Sequence, residues 1–154
     1  MKKVVIGFGI LVVVIFCIML YFTYIFHIDT KYAINYSKAL GSYDINQVDR
    51  FLNEDTAITY KDFSQTYKEL RVNVINAFKE HNFNINEKSS YGHGNNDFID
   101  DVQFVGIQSY VTIDNKNIEV YIEMQLEKIG FNKFKIKSLS SDNEFFGYLF
   151  FGIK

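Results

Sequence analysis

The chain has 154 residues, 48% of them hydrophobic, and sets 16 basic against 18 acidic side chains for a formal net charge of −2. That is enough chain for one domain with its own core, and too little positive charge for the basic footprint that nucleic acid or an anionic headgroup surface demands. A single cysteine, Cys17, excludes a disulfide framework within the chain.

Lys2 and Lys3 precede Val4 to Phe26, 23 residues without a formal charge. As a helix this run is about 34 Å long, against a hydrocarbon core of about 30 Å. A cleaved signal peptide begins the same way, but this run exceeds the usual apolar region, and its exit from Leu20 to Phe26 offers bulky residues where a peptidase needs small ones. Ile15 and Phe16 before Cys17 are likewise too large for a lipidation box. Residues 1–27 therefore read as a cytoplasmic stub and a retained single-span anchor, with the lipid bilayer as partner of residues 4–26 and Tyr21 and Tyr24 in the interfacial belt. The two lysines place the amino terminus in the cytoplasm and residues 28–154 outside it. Without Lys2 and Lys3 the balance is 14 basic to 18 acidic, a net of −4, so no nucleic-acid partner is expected.

Thr30 to Leu40 puts Tyr32, Ala33, Tyr36 and Leu40 on one helical face and meets Gly41, where helices commonly stop. It continues or closely follows the anchor. Asp44 and Gln47 form a capping pattern ahead of Ile45, Val48, Phe51 and Leu52, a short helix. Thr56 to Tyr60 reads as extended. Asp62 and Gln65 repeat the capping signature before Phe63, Tyr67, Leu70, Val74, Ala77 and Phe78, whose spacing predicts the longest helix of the domain, ending near Glu80. His81 then sits at the helix end, where its ring meets the last carbonyls.

After His81 the period changes from helical to alternating. Phe83 to Glu87 predicts a strand, and Ser89 to Asp101 a polar loop. Val105, Ile107, Ser109, Val111 and Ile113 share one face of a strand, and Ile118, Val120, Ile122, Met124 and Leu126 share one face of the next. A four-residue turn at Asp114 to Asn117 pairs Val105 with Leu126, Ile107 with Met124, Val111 with Val120 and Ile113 with Ile118. A turn centred on Gly130 sets Phe134 and Ile136 beside Leu126 and Met124. It also sets Glu127 opposite Lys133, Gln125 opposite Lys135, and Glu123 opposite Lys137 on the wet face.

The expected fold class is α+β: an amino-terminal transmembrane helix, then about three helices on one face of a curved antiparallel sheet. In its order of elements, with Phe51 to Asp55 closing the short helix and Ala57 to Tyr60 extended before the long one, the chain resembles the NTF2-like (cystatin-like) cone over residues 30–140. The arrangement is also similar to the VirB8-type subunits of conjugation and secretion machines. This resemblance implies a cone whose open end holds a ligand. Enzymes of that shape place a carboxylate, or a tyrosine and an acid, on the dry face. The three strands carry no ionisable residue there, so no catalytic residue is expected, and no cofactor.

Ser109 and Ser138 are the only polar residues on that face. The registers set both level with Ile122, a small–large–small row that reads either as a ligand pocket floor or as a seat for a helix residue such as Phe78 or Leu70. His93, between Gly92 and Gly94 with Asp97, Asp100 and Asp101 downstream, reads as a solvated connection rather than a metal site, which needs three or four firmly held ligands. The tail, residues 144–154, holds seven large apolar residues on both alternate phases. It reads as a buried strand or helix, as a segment resting on the bilayer, or as a partner site. On the bilayer reading Phe145, Phe146, Leu149, Phe150 and Phe151 make the membrane contact. The function expected is a non-catalytic, membrane-anchored extracytoplasmic module. It would bind a protein partner or a small apolar ligand, or serve as a structural subunit of an envelope-spanning assembly. An isomerase or hydrolase using the cone is the alternative from another class.

Overall fold

The computed structural model of the chain describes residues 2–42, 44–81, 83–85, 91–95, 102–113, 115–130 and 133–153; in the first helix the side chains are described from residue 9 to 23 and from residue 30 on. Among the described residues, four helices and seven strands run in the order α1 (Lys2–Gly41), α2 (Ile45–Phe51), β1 (Ala57–Tyr60), β2 (Phe63–Thr66), α3 (Tyr67–Glu80), β3 (Phe83–Ile85), β4 (Tyr91–Asn95), β5 (Val102–Ile113), β6 (Lys116–Gly130), β7 (Lys133–Ser140) and α4 (Glu144–Phe151). The sheet order is β2-β1-β7-β6-β5-β3, with β4 also on β5. It is mixed rather than all antiparallel, because β1 joins β7 in parallel.

The segment expected to be an anchor and the first helix of the domain are one element. α1 runs 40 residues without a break, and its last turns bury Ala33, Tyr36, Ser37, Ala39 and Leu40. Tyr32 donates to the Phe134 carbonyl of β7 at 3.1 Å, and Ser37 meets Ser109 of β5 at 3.2 Å. Earlier in the helix, Ile10 to Phe22 are exposed on all sides. Among the described residues no helix is long and apolar enough to cross a membrane, and the described side chains 9–23 are only part of the uncharged run Val4 to Phe26.

The Asp44 cap forms as expected, its carboxylate accepting from the Asn46 N–H at 2.9 Å. The second capping signature does not. Phe63 to Thr66 is strand β2, hydrogen-bonded to β1, and α3 starts four residues later than the spacing predicts. Thr66 and Glu69 supply the cap, the Glu69 carboxylate accepting from both the Thr66 N–H and its hydroxyl at 2.9 Å. Phe63 is consequently 59% exposed, not a core residue. α2 is clamped to α3 through Asp49, whose carboxylate accepts from Nε and Nη2 of Arg71 and, at 2.9 Å, from the Tyr67 hydroxyl.

The Arg71 hydrogen bonds, ahead of that from Tyr67, hold the Asp49 carboxyl below the usual carboxylate range. A group whose pKa is lower folded than unfolded stabilises the fold above the unfolded value, about 4, and that contribution disappears as pH falls through the folded value. Asp49→Asn is therefore expected to destabilise the protein at pH 7 and to flatten the acid limb of stability. Urea midpoints of both proteins between pH 3 and 7 measure this, and parallel curves would rule the clamp out as the source.

The two hairpins keep the expected dry face but not the expected partners. Only two residues separate Ile113 from Lys116, and Asn115 takes the left-handed φ of 67° that such a tight turn requires. Every β5–β6 pair thus shifts by two: Val105 faces Met124, Ile107 faces Ile122, and Val111 faces Ile118. A two-residue shift preserves the face, since side chains alternate with period two. Between β6 and β7 a bulge leaves Lys137 unpaired, with Leu126 opposite Ile136 and Gln125 opposite Ser138. Glu127 pairs with Lys135, their charged atoms 3.2 Å apart, and Glu123 faces Ser140 rather than Lys137.

The tail closes the core. Residues 144–151 form α4, capped by the Asn143 side chain at 2.9 Å and ended by Gly152 at φ 65°. Phe146, Leu149 and Phe150 have no exposed surface, and Phe145 is buried beside them. They fill the space among Ile58, Ile122, Met124, Leu139 and the inner side of α3, all in one cluster. The expected membrane contact by Phe145, Phe146, Leu149, Phe150 and Phe151 is overturned: four of the five are buried, and Phe151 is half-buried against Tyr60 and Phe63. A single helix resolves the difficulty of apolar residues on both strand phases, because it turns them onto one broad stripe against the sheet.

Candidate functional site

The small–large–small pocket floor does not assemble. Ser109 is fully buried on the dry face, but opposite Val120 and in contact with Ser37 of α1. Ile122 is buried opposite Ile107. Ser138 is carried to the wet face by the Lys137 bulge and donates to the Gln125 side chain at 3.1 Å. His93 lies on β4, in register with Gly106, within what the sequence predicts as a loop. Its side chain, and Asp97, Asp100 and Asp101, lie outside the described residues. Among the described residues no three potential metal ligands converge.

The dry interior is packed with side chains from α1, α2, α3, α4 and the sheet. Its buried polar groups, among the described residues, are Ser37, Thr56 and Ser109, together with the phenols of Tyr36, Tyr60 and Tyr67. The Tyr36 hydroxyl has no hydrogen-bond partner among the described residues. Burial drives its pKa far above the ordinary phenol value, so it is neutral at any physiological pH. An unsatisfied buried hydroxyl costs about 1–3 kcal/mol. Tyr36→Phe, which keeps the ring contact with Phe51, is expected to raise stability by about that amount. A higher urea midpoint at unchanged slope reads this directly, and a lower midpoint would mean that the hydroxyl is satisfied.

The open concavity lies on the other side of the sheet. A hollow of about 660 Å³ is lined by Thr59 and Lys61 from β1 and its turn, Gln108 from β5, Glu119, Tyr121 and Glu123 from β6, and Ser140 to Asn143 leading into α4. Its rim is held by backbone contacts. Ser141 donates its hydroxyl to the Tyr121 carbonyl at 2.6 Å and its N–H to the Thr59 carbonyl at 3.1 Å, and the Asn143 amide donates to the Glu119 carbonyl at 3.0 Å. Lys61 sits in the left-handed region at φ 52°, which a non-glycine residue adopts only when its surroundings impose it. Its ammonium lies 5.0 Å over the Tyr60 ring. The Tyr60 hydroxyl, then the Glu144 and Asp142 carboxylates, push its pKa up. Glu119 accepts from the Tyr110 hydroxyl at 3.3 Å, and Tyr110 in turn accepts from Gln108. Sequence reading missed this hollow because its residues come from four strands and a turn. The one local signal is the Ser140–Ser141–Asp142–Asn143 run, a turn pattern that ends in a helix cap.

No protein-family model matches the chain, and no curated protein matches it in sequence. Among solved structures it is similar to a presumed ketosteroid isomerase from Shewanella frigidimarina, at 12% identity and a TM-score of 0.55, over 71% of this chain and 90% of that one. The fold is NTF2-like. A presumed scytalone dehydratase from Novosphingobium aromaticivorans (15% identity, TM-score 0.48, over 71% of this chain and 77% of that one) is a weaker match. So is an NTF2-like protein of unknown function from Cytophaga hutchinsonii (12% identity, TM-score 0.40, over 71% and 83%). At such identities the likeness concerns the fold, and an NTF2-like fold serves binding modules and enzymes alike.

Proposed function

We propose that the chain is a membrane-anchored extracytoplasmic binding module, with the first half of α1 crossing the bilayer, the amino terminus in the cytoplasm and the NTF2-like domain outside. The observation that carries this reading is the contrast along α1. Ile10 to Phe22 expose large apolar side chains on every side, whereas Ala33 to Leu40 are buried in the domain. An apolar surface of that extent in water would drive association, and lipid is the environment that matches it. Among the described residues the buried polar side chains of the interior are hydroxyls, Ser37, Thr56 and Ser109 with the buried tyrosines, a lining that fits a binding module.

Cys17, the only cysteine, lies within the exposed apolar run and provides the test. In intact spheroplasts an impermeant maleimide should leave Cys17 unlabelled until detergent is added. In a Cys17→Ala background, Lys68→Cys, whose position on α3 is 72% exposed, should label from outside at once. Prompt labelling of Cys17, or recovery of a soluble chain beginning near residue 27, would sink the anchor.

A second reading, a structural subunit of an envelope-spanning assembly, is favoured by one feature. α1 enters the core with no linker after the apolar run, which suits a part that must hold a fixed pose. Crosslinking in cells before detergent extraction distinguishes the two: stoichiometric capture of the same membrane partners supports the subunit.

A further inference from the structure

The hollow on the wet face differs from the packed interior in every respect that matters for a ligand. It is open, it is walled by hydrogen-bonding groups of both kinds, and one aromatic residue, Tyr121, stands in the lining with 45% of its surface exposed. An apolar ligand gains little there, because Thr59, Gln108, Ser140 and Asn143 would lose water without recompense. Phosphate and nucleic acid are opposed by Glu119, Glu123 and Asp142, against which Lys61 is the one cation of the lining among the described residues.

What remains is a ligand with an apolar ring face and many hydroxyls. Such a ligand stacks its C–H face on a tyrosine ring and uses each hydroxyl as donor and acceptor at once. Carboxylates take hydroxyl donors in strong, charge-assisted hydrogen bonds, and Glu119, Glu123 and Asp142 provide the acceptors. Lys61, Gln108 and the hydroxyls of Thr59 and Ser140 provide the donors. The rim is pinned to the β1 and β6 backbone, so little ordering is needed on binding. We infer that this hollow is a binding site for a neutral oligosaccharide, with Tyr121 as its stacking platform. The inference concerns the ligand of the proposed binding module but does not depend on the anchor, since the hollow belongs to the folded domain alone.

The test uses the full chain in a zwitterionic detergent that contains no sugar, with N-acetylglucosamine hexamer, cellohexaose and maltohexaose as probes and spermidine and hexalysine as cationic controls. Saturation-transfer NMR and calorimetry should detect at least one saccharide. Tyr121→Ala should weaken it about tenfold, as loss of an aromatic contact does, with the thermal midpoint little changed. Tyr121→Phe should retain binding to within about threefold, since the ring face is kept. Glu123→Gln should weaken the saccharide while leaving the fold intact. No binding by any of the three saccharides overturns the inference, as does binding that Tyr121→Ala leaves untouched. Binding of the cations alone, lost in Glu123→Gln, also overturns it and identifies an acidic site instead. None of these outcomes bears on whether Cys17 lies in the bilayer, so failure here and failure of the anchor are separable.

Discussion

Ending the chain after Asn143 is expected to unfold the domain. The truncation removes Phe145, Phe146, Leu149 and Phe150, all buried. Each buried phenylalanine replaced by alanine costs about 3–5 kcal/mol, and each leucine about 2–5. Their combined loss is comparable with the whole stability of a domain, about 5–15 kcal/mol. Circular dichroism and the dispersion of amide NMR signals should show this in the same detergent as the intact chain. Phe146→Ala, the milder change, should leave a folded protein weakened by about 3–5 kcal/mol. A truncated chain that still melts cooperatively would mean that the tail is not needed to complete the core.

Gly147→Ala is expected to destabilise, although alanine ordinarily favours a helix over glycine by about 1 kcal/mol. A Cβ built at Gly147 falls 2.6 Å from the Tyr60 ring, with three ring atoms closer than 3.0 Å. Tyr60 is itself buried and packed against Phe151, so the ring has nowhere to swing. Overpacking of this kind costs about 1–3 kcal/mol and outweighs the helix propensity. The double variant with Tyr60→Leu, which removes the ring, should recover part of the loss, whereas Tyr60→Phe should recover none. Additive losses in the Leu pair would mean that the two residues do not press on each other.

Element types were largely legible from periodicity. The buried stripe Tyr67, Leu70, Val74, Ala77 marks α3, and the alternation in β5 and β6 marks which side of the sheet is dry. Partners were not legible, because they depend on turn length, and both a two-residue and a four-residue turn satisfy the same alternation. The Lys137 bulge did leave a trace. Ile136 and Leu139 are both buried although three residues apart, an odd spacing that a regular strand cannot put on one face. Followed along the strand, that spacing takes Ser138 off the dry face and leaves no pocket floor. The tail reads first as a buried strand or helix, and a buried helix is what forms, but its alternatives stay open for a different reason. Its residues are apolar in either phase, so strand geometry gave no answer, and the Asn143 cap and the glycine at 152 were the signs of a helix. β2 was missed because Asp62 and Gln65 mimic a helix start. The wet-face hollow had no sequence signature to find, since it is made by juxtaposition.

The unbroken course of α1 also has a mechanical meaning. A domain hung from ten flexible residues wanders over roughly 17 Å and tumbles as it does so. A helix of 40 residues, about 60 Å long, grants no such freedom when its last turns are fixed in the core by Tyr32 and Ser37. Held in a bilayer, it acts as a stiff mast: every copy carries its hollow at one height and one tilt, and only sliding in the plane and spinning about the mast remain. A polymeric target lying parallel to the membrane then meets many sites at a common level, and its grip grows with the lateral density of masts rather than with the affinity of any single one.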